Sequence, residues 1–211
     1  MANQNAPFGL KPLTSATGAA SNYEMRTARI LYSDNTKIFR GDPVLMGSSG
    51  FIAQWTNGTA VSQLWGIFWG VEYLSTSQGK KTFSQFWPGA DVASTAQDSI
   101  QALIIPCNQA TAGTFIVQSD GTGVTAADIG ATADITLGTG NTLNGQSGAY
   151  LSNIGTAATL PFRIMGLYGG SLGSGGFGGV QPSTTNPYGG SATGAYAWAV
   201  VSANNTGSTG I

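Results

Sequence analysis

The stretch 61–74 reads Val61-Ser62-Gln63-Leu64-Trp65-Gly66-Ile67-Phe68-Trp69-Gly70-Val71-Glu72-Tyr73-Leu74. At period two, Trp65, Ile67, Trp69, Val71 and Tyr73 fall on one face of a strand. Leu64, Gly66, Phe68, Gly70, Glu72 and Leu74 fall on the other. Both faces are largely apolar, the pattern of a strand buried on two sides. Two roles fit: a central core strand, or a strand with one face at an oligomer interface, where Trp and Tyr are enriched. Gly66 and Gly70 would let another backbone approach closely.

Outward from this stretch the same kind of signal repeats. Strand-like runs occupy 23–32, 37–40, 44–46, 51–55, 82–88, 100–106, 114–120, 160–168 and 195–202. Turn signals separate them: Gly41-Asp42-Pro43, then 47–50, then the hairpin dipeptide Asn57-Gly58. Turns at roughly ten-residue spacing predict an all-β fold, sandwich- or barrel-like. One short helical turn is expected over 124–130, with Thr125 as N-cap and Asp128 closing a capping box. Residues 1–22 lack periodicity and read as an extended N-terminal arm before a β-rich domain at 23–211. Its apolar residues Pro7-Phe8 and Leu10 are either docking hooks or part of a frayed terminus. Residues 166–194 contain eleven glycines and read as a long Gly-rich insertion rather than a hairpin loop.

Composition narrows the function. The 211 residues include 32 Gly, 20 Ser and 24 Thr, but only 8 Lys+Arg, 9 Asp+Glu and no His. A chain without histidine lacks the commonest general base and the commonest metal ligand. One cysteine, Cys107, excludes an internal disulfide framework and a Cys-based zinc site. Following the apolar run 100–106, Cys107 reads as a buried, inert thiol. Sparse basic residues make nucleic acid an unexpected partner. No 18-residue apolar run suggests a membrane span, and the opening residues show no secretory h-region. The expectation is therefore a chain with neither nucleic acid nor membrane as partner.

No catalytic constellation stands out. Asp120, Asp128 and Asp134 do not match the spacing of an EF-hand loop and read better as turn and cap residues. The glycines from Gly169 onward lack the Lys-Ser/Thr of a phosphate loop. No enzymatic activity and no cofactor are expected. Charge is also uneven: from 135 to 211 the single charged side chain is Arg163. Such a surface suits contact with other protein better than a freely soluble life. A carbohydrate-binding or adhesive module, working through aromatics such as Trp55 or Trp87, is the alternative outside the structural class.

Several blocks, in order, resemble the head decoration (cement) proteins of tailed phages. They are Ala6-Pro7-Phe8-Gly9-Leu10-Lys11-Pro12, Gly41-Asp42-Pro43-Val44, Phe115-Ile116-Val117-Gln118-Ser119-Asp120 and Ile129-Gly130-Ala131-Thr132-Ala133-Asp134-Ile135. Leu160-Pro161-Phe162-Arg163-Ile164-Met165-Gly166-Leu167 and Ala197-Trp198-Ala199-Val200-Val201 complete the series. The resemblance implies a structural virion protein, made in the host cytoplasm and seated on the outer capsid surface. It implies a homotrimer that bridges neighbouring capsomers, with the major capsid protein as partner. On this reading, Pro7, Phe8, Leu10, Lys11 and Pro12 are expected at the shell or at a neighbouring subunit. Trp65, Trp69 and Tyr73 are expected near a subunit boundary. Another virion component, of tail or fibre, is the closest alternative.

Overall fold

The computed structural model describes residues 3–14, 24–47, 49–59, 63–89, 91–107, 113–168 and 193–204. Within them the fold is all-β. The strands are β1 (Lys11–Thr14), β2 (Arg26–Ala28), β3 (Ile38–Phe39), β4 (Pro43–Met46), β5 (Ile52–Gln54), β6 (Leu64–Ser75) and β7 (Lys80–Ser84). They continue with β8 (Phe86–Trp87), β9 (Gln101–Pro106), β10 (Thr114–Gln118), β11 (Thr132–Thr136), β12 (Tyr150–Gly155), β13 (Phe162–Leu167) and β14 (Trp198–Ala203). Every strand-to-strand ladder is antiparallel.

One six-stranded sheet runs β1-β10-β14-β13-β11-β12. The other runs β2-β9-β6-β4-β5, with β7 pairing the far half of β6. β3 and β8 form a small separate ribbon. The first sheet curls: Ser119 bridges Leu151, and the Asp120 N–H donates to the Leu151 carbonyl at 3.0 Å, drawing β12 back towards the end of β10. The sheets pack as a sandwich, and two apolar clusters fill it. One lies between the sheets and joins Leu64, Ile67 and Ile105 to Phe115, Val117, Ile135, Leu151, Phe162 and Val201. The second joins Phe68, Val71, Tyr73, Ile104, Ile30, Ile38 and Trp87, beneath the β3–β8 ribbon. There Tyr73 meets Trp87 edge-on, with ring centroids 5.6 Å apart, and Phe39 stacks on Phe86 at 5.5 Å.

From Leu64 on, the strand expected at 61–74 is therefore the central one, β6, with apolar cores on both sides. Its strict two-residue alternation does not hold. Leu64, Ile67 and Trp69 serve the first cluster, while Trp65, Phe68, Val71 and Tyr73 serve the second. The face switches at each glycine. Pairing with β4 shifts register at Gly66–Leu64, and pairing with β9 shifts between Phe68 and Gly70. These are β-bulges, and they re-aim the following side chains. The glycines do permit close approach, within the chain itself. A Cβ on Gly66 would lie 2.5 Å from the Ile105 carbonyl oxygen, and one on Gly70 would lie 2.7 Å from the Phe83 ring.

Other expectations also change. Asn57-Gly58 does not join paired strands, because β4 lies between β5 and β6. Instead the turn is tied to β11: the Gly58 N–H donates to Asp134 at 2.9 Å and Asn57 Nδ2 to Thr136 Oγ1 at 3.0 Å. The run at 82–88 is two strands, β7 and β8, paired with different partners. The turn at 124–130 forms as a short 3-10 segment, Ala126–Asp128, where the Asp128 carboxylate accepts from the Thr125 N–H at 2.7 Å. Residues 1–2 and 15–22 of the expected arm, 61–62 of the expected strand at 61–74 and 169–192 of the Gly-rich segment lie outside the described residues.

Gly66→Ala forces a methyl into a backbone carbonyl that cannot swing away, so it should cost about 1–3 kcal/mol. Gly166, in β13, has open space where its Cβ would stand and no left-handed φ, so Gly166→Ala should be neutral or stabilise slightly. Thermal melts of the two variants test this, and equal melting temperatures would refute the bulge account.

Candidate functional site

The N-terminal segment is laid across the fold by hydrogen bonds rather than projecting from it. The Ala6 N–H donates to Gln118 Oε1 at 3.0 Å, and Gln118 Nε2 donates back to the Gln4 carbonyl at 2.8 Å. Gly9 N–H donates to the Ala149 carbonyl at 3.1 Å, and Leu10 N–H to the Gly41 carbonyl at 2.9 Å. From Lys11 the chain becomes β1, the edge partner of β10, where Pro12 is tolerated because one side of an edge strand needs no N–H donor.

Glycine makes this crossing possible. Gly9 has φ +72° and Gly41 has φ +100°, both left-handed. A Cβ on Gly9 would lie 2.6 Å from Ser147 Cβ and 2.8 Å from the Gly41 carbonyl. Beneath the crossing sits Asp42, 2% exposed. Its carboxylate accepts from the Phe39 N–H at 2.8 Å and from the Ser147 hydroxyl, and Ser147 Oγ accepts from the Ala149 N–H at 2.9 Å. Burial raises the Asp42 pKa above its ordinary value; hydrogen bonds from Ser147, Phe39 and Gln54 pull it down but do not offset the burial.

This crossing brings the two sets of sequence candidates together. Phe8, Leu10 and Lys11 of the N-terminal segment meet Trp69 of β6 around one partly open cavity of about 210 Å³, completed by Arg40 and Gln146. Leu10 is fully buried and Phe8 nearly so. Phe8 packs edge-on against Trp198, with centroids 4.9 Å apart. The apolar hooks are thus taken up by the chain's own fold, which leaves Lys11 as the exposed member of that group. Lys11 Nζ stands 4.5 Å above the Phe8 ring, and the Arg40 guanidinium 5.5 Å from the Trp69 ring. Pro7 and Pro12 are half-buried. Trp65 packs partly against the second core and Tyr73 lies inside it, away from the cavity.

Sequence reasoning missed Arg40, Gln146 and Leu143. Arg40 had a signal, its place before the Gly41-Asp42-Pro43 turn. Gln146 reaches the cavity only because Arg40 bridges Gln146 across the fold. Leu143 is 97% exposed at the tip of the same loop. The tip is braced: the Asn141 side chain accepts from the Leu143 N–H at 2.8 Å, Asn144 Oδ1 from the Gln146 N–H at 2.9 Å, and the Gln146 carbonyl from the Asn141 N–H at 2.8 Å.

The remaining candidates have structural places. Asp120 accepts from the Thr122 and Gly123 N–H groups, an Asx turn. Among the described residues no group of three or more Asp, Glu, Cys or His gathers to hold a metal. Trp87 is fully buried and donates to the Asp34 carbonyl at 2.9 Å. Trp55 is 2% exposed, and its indole N–H meets no acceptor among the described residues. Neither indole offers a face to a sugar. No helix of the described residues is long and apolar enough to cross a membrane. Compared with protein-family models, curated proteins and solved structures, the chain matched none.

Two predictions follow from the buried groups. Because the folded Asp42 pKa is raised, its contribution to stability is complete below the unfolded pKa and is lost as pH rises through the folded one. The melting temperature of Asp42→Asn, relative to wild type, should therefore climb between acidic and neutral pH, over a constant offset from the lost acceptor. A flat or falling difference would contradict this. Cys107 is buried, and burial pushes its thiol pKa far up. A thiol reagent at neutral pH should leave the native chain unlabelled and react once it is denatured; rapid native labelling would show the thiol to be reachable.

Proposed function

We propose that the chain is a structural virion protein of the capsid-decoration type, binding the outer surface of the expanded phage head and bridging capsomers as a homotrimer. The ordered sequence blocks support the family reading. The geometric observation that carries it is Leu143: a large apolar side chain, 97% exposed, held on a braced tip in the stretch 135–211, where Arg163 is the single charge. Met165 on β13 (44% exposed) adds apolar surface to the same stretch, and Ile129 (43% exposed) lies just before it. Lone exposed apolar residues are ordinary. A braced one in an uncharged region is suited to insertion into a partner, because the rigid tip loses little entropy on docking.

The mechanism is binding rather than chemistry. Each copy adds a modest apolar contact, and attachment through several subunits multiplies these into a stable clamp. Apolar contacts are not screened by salt, so the clamp holds where ionic contacts would weaken.

Mixing the purified chain with expanded, undecorated heads should give saturable, stoichiometric binding that persists in high salt. Leu143→Asp should weaken it by about tenfold or more while leaving the melting temperature unchanged, since the side chain touches nothing that supports the fold. Absence of binding to heads, with density for the chain on tail or fibre instead, would replace this reading by the other virion role.

A further inference from the structure

The cavity between the N-terminal segment and β6 has a chemistry of its own. Two cations, Lys11 and Arg40, border it, each set against an aromatic ring. Arg29 pairs with Asp98 and Lys81 with Glu72, whereas neither cation at the cavity pairs with a carboxylate among the described residues. The other walls are Phe8, Leu10, Trp69 and the Gln146 amide. We propose that this cavity is a binding site for a carboxylate on an apolar stem, presented by a protein segment whose acidic side chain or chain end is flanked by an apolar residue.

Three observations argue for this ligand class. First, both cations are placed by backbone position and by a ring beneath each. Arg40 lies in a backbone crossing whose N–H donates to the Gly145 carbonyl at 2.9 Å and whose carbonyl accepts from the Ser147 N–H at 3.1 Å. Lys11 is at the start of β1, over Phe8. Second, they repel each other: the Lys11 pKa is lowered by burial first and by Arg40 second. An anion between them relieves that repulsion, and a carboxylate suits the Arg guanidinium. Third, apart from the Gln146 amide, the rest of the lining is apolar. A phosphate would lose its hydration against Phe8, Leu10 and Trp69 with little returned, whereas the stem of an amphipathic acid fills that space. At about 210 Å³ the space matches one side chain rather than a nucleotide or an extended sugar chain.

The inference does not depend on the virion reading, and its test needs no phage particles. The purified chain would be titrated with N-acetyl-Leu-Glu amide, phenylacetate, phenylacetamide and inorganic phosphate, following the Trp69 indole N–H by NMR. The expected result is saturable millimolar binding of the dipeptide, with phenylacetate weaker and phenylacetamide and phosphate weaker by about tenfold or more. Arg40→Met and Lys11→Met should each lose the response, and Arg40→Lys should keep part of it. A melting curve on each variant separates loss of the site from loss of the fold. Equal binding of phenylacetamide, tighter binding of phosphate, or an unchanged response in a folded Arg40→Met variant would overturn the proposal. Tighter binding of phenylacetate than of the dipeptide would overturn the protein-segment source.

Discussion

A single strand that must face two cores governs this structure. β6 supplies Leu64, Ile67 and Trp69 to the core between the sheets and Phe68, Val71 and Tyr73 to the core beneath the β3–β8 ribbon. A regular strand would send odd residues one way and even residues the other. Here Ile67 and Val71, both odd, go opposite ways, because a bulge intervenes at Gly70. Phe68 and Ile67 are fully buried on opposite sides, each worth about 1.5–3 kcal/mol of transfer free energy. Without the bulges, one of the cores would receive the wrong side chains, and the neighbouring carbonyl of Ile105 leaves no space for anything larger than glycine at Gly66.

The second organising feature follows from the first. With β6 fixed, its Phe68 carbonyl accepts from the Gly41 N–H and its Phe68 N–H donates to the Asp42 carbonyl, each at 2.8 Å. That anchors the 39–42 turn, and the turn carries Arg40, the Asp42 carboxylate and the contact with Ser147. The Leu10 N–H then closes on the Gly41 carbonyl, so the N-terminal segment is held at the same point. A buried carboxylate is a costly way to make such a junction. What it provides is direction: its oxygens accept from a backbone N–H and a serine hydroxyl, which orient two loops and the N-terminal segment together. The cavity that unites Phe8, Lys11, Arg40, Trp69 and Gln146 is a by-product of that junction and moves with it.

This division explains how much could be read from the chain. The all-β class was legible because alternating apolar runs and turn dipeptides are local signals. β4, β5, β9, β10 and β13 fall within or beside the runs that composition marks out. β11 and β12 were not legible, since Thr132–Thr136 and Tyr150–Gly155 are short and polar-rich, and become strands through their ladder with one another and that of β11 with β13. The bulges in β6 were signalled by Gly66 and Gly70, yet glycine in a strand reads equally as close approach or as bulge. Here both readings hold at once. The aromatic candidates divided by burial, which local sequence does not encode: Trp69 borders the cavity, Tyr73 is interior. Gln146 and Leu143 carried no periodic signal at all. Their roles come from an Asx-braced loop whose position is fixed by residues about a hundred places earlier, at Arg40 and Asp42.

Charge poverty takes on a more specific meaning in this light. Sparse charge from 135 onward leaves Leu143 without a charged neighbour in sequence, whereas Met165 follows Arg163 by two places and Ile129 follows Asp128 directly. The cations that remain are correspondingly conspicuous. Arg29 and Lys81 are matched to Asp98 and Glu72 on the exposed surface, where such pairs add little stability. Lys11 and Arg40 are instead held together beside aromatic rings, a like-charge arrangement that folding does not favour. Two like charges at the rim of a largely apolar cavity are what the proposed anion site rests on. In the proposed docking, that complementarity would give direction and register to a contact whose strength comes from the apolar tip of the loop that Arg40 bridges at Gln146.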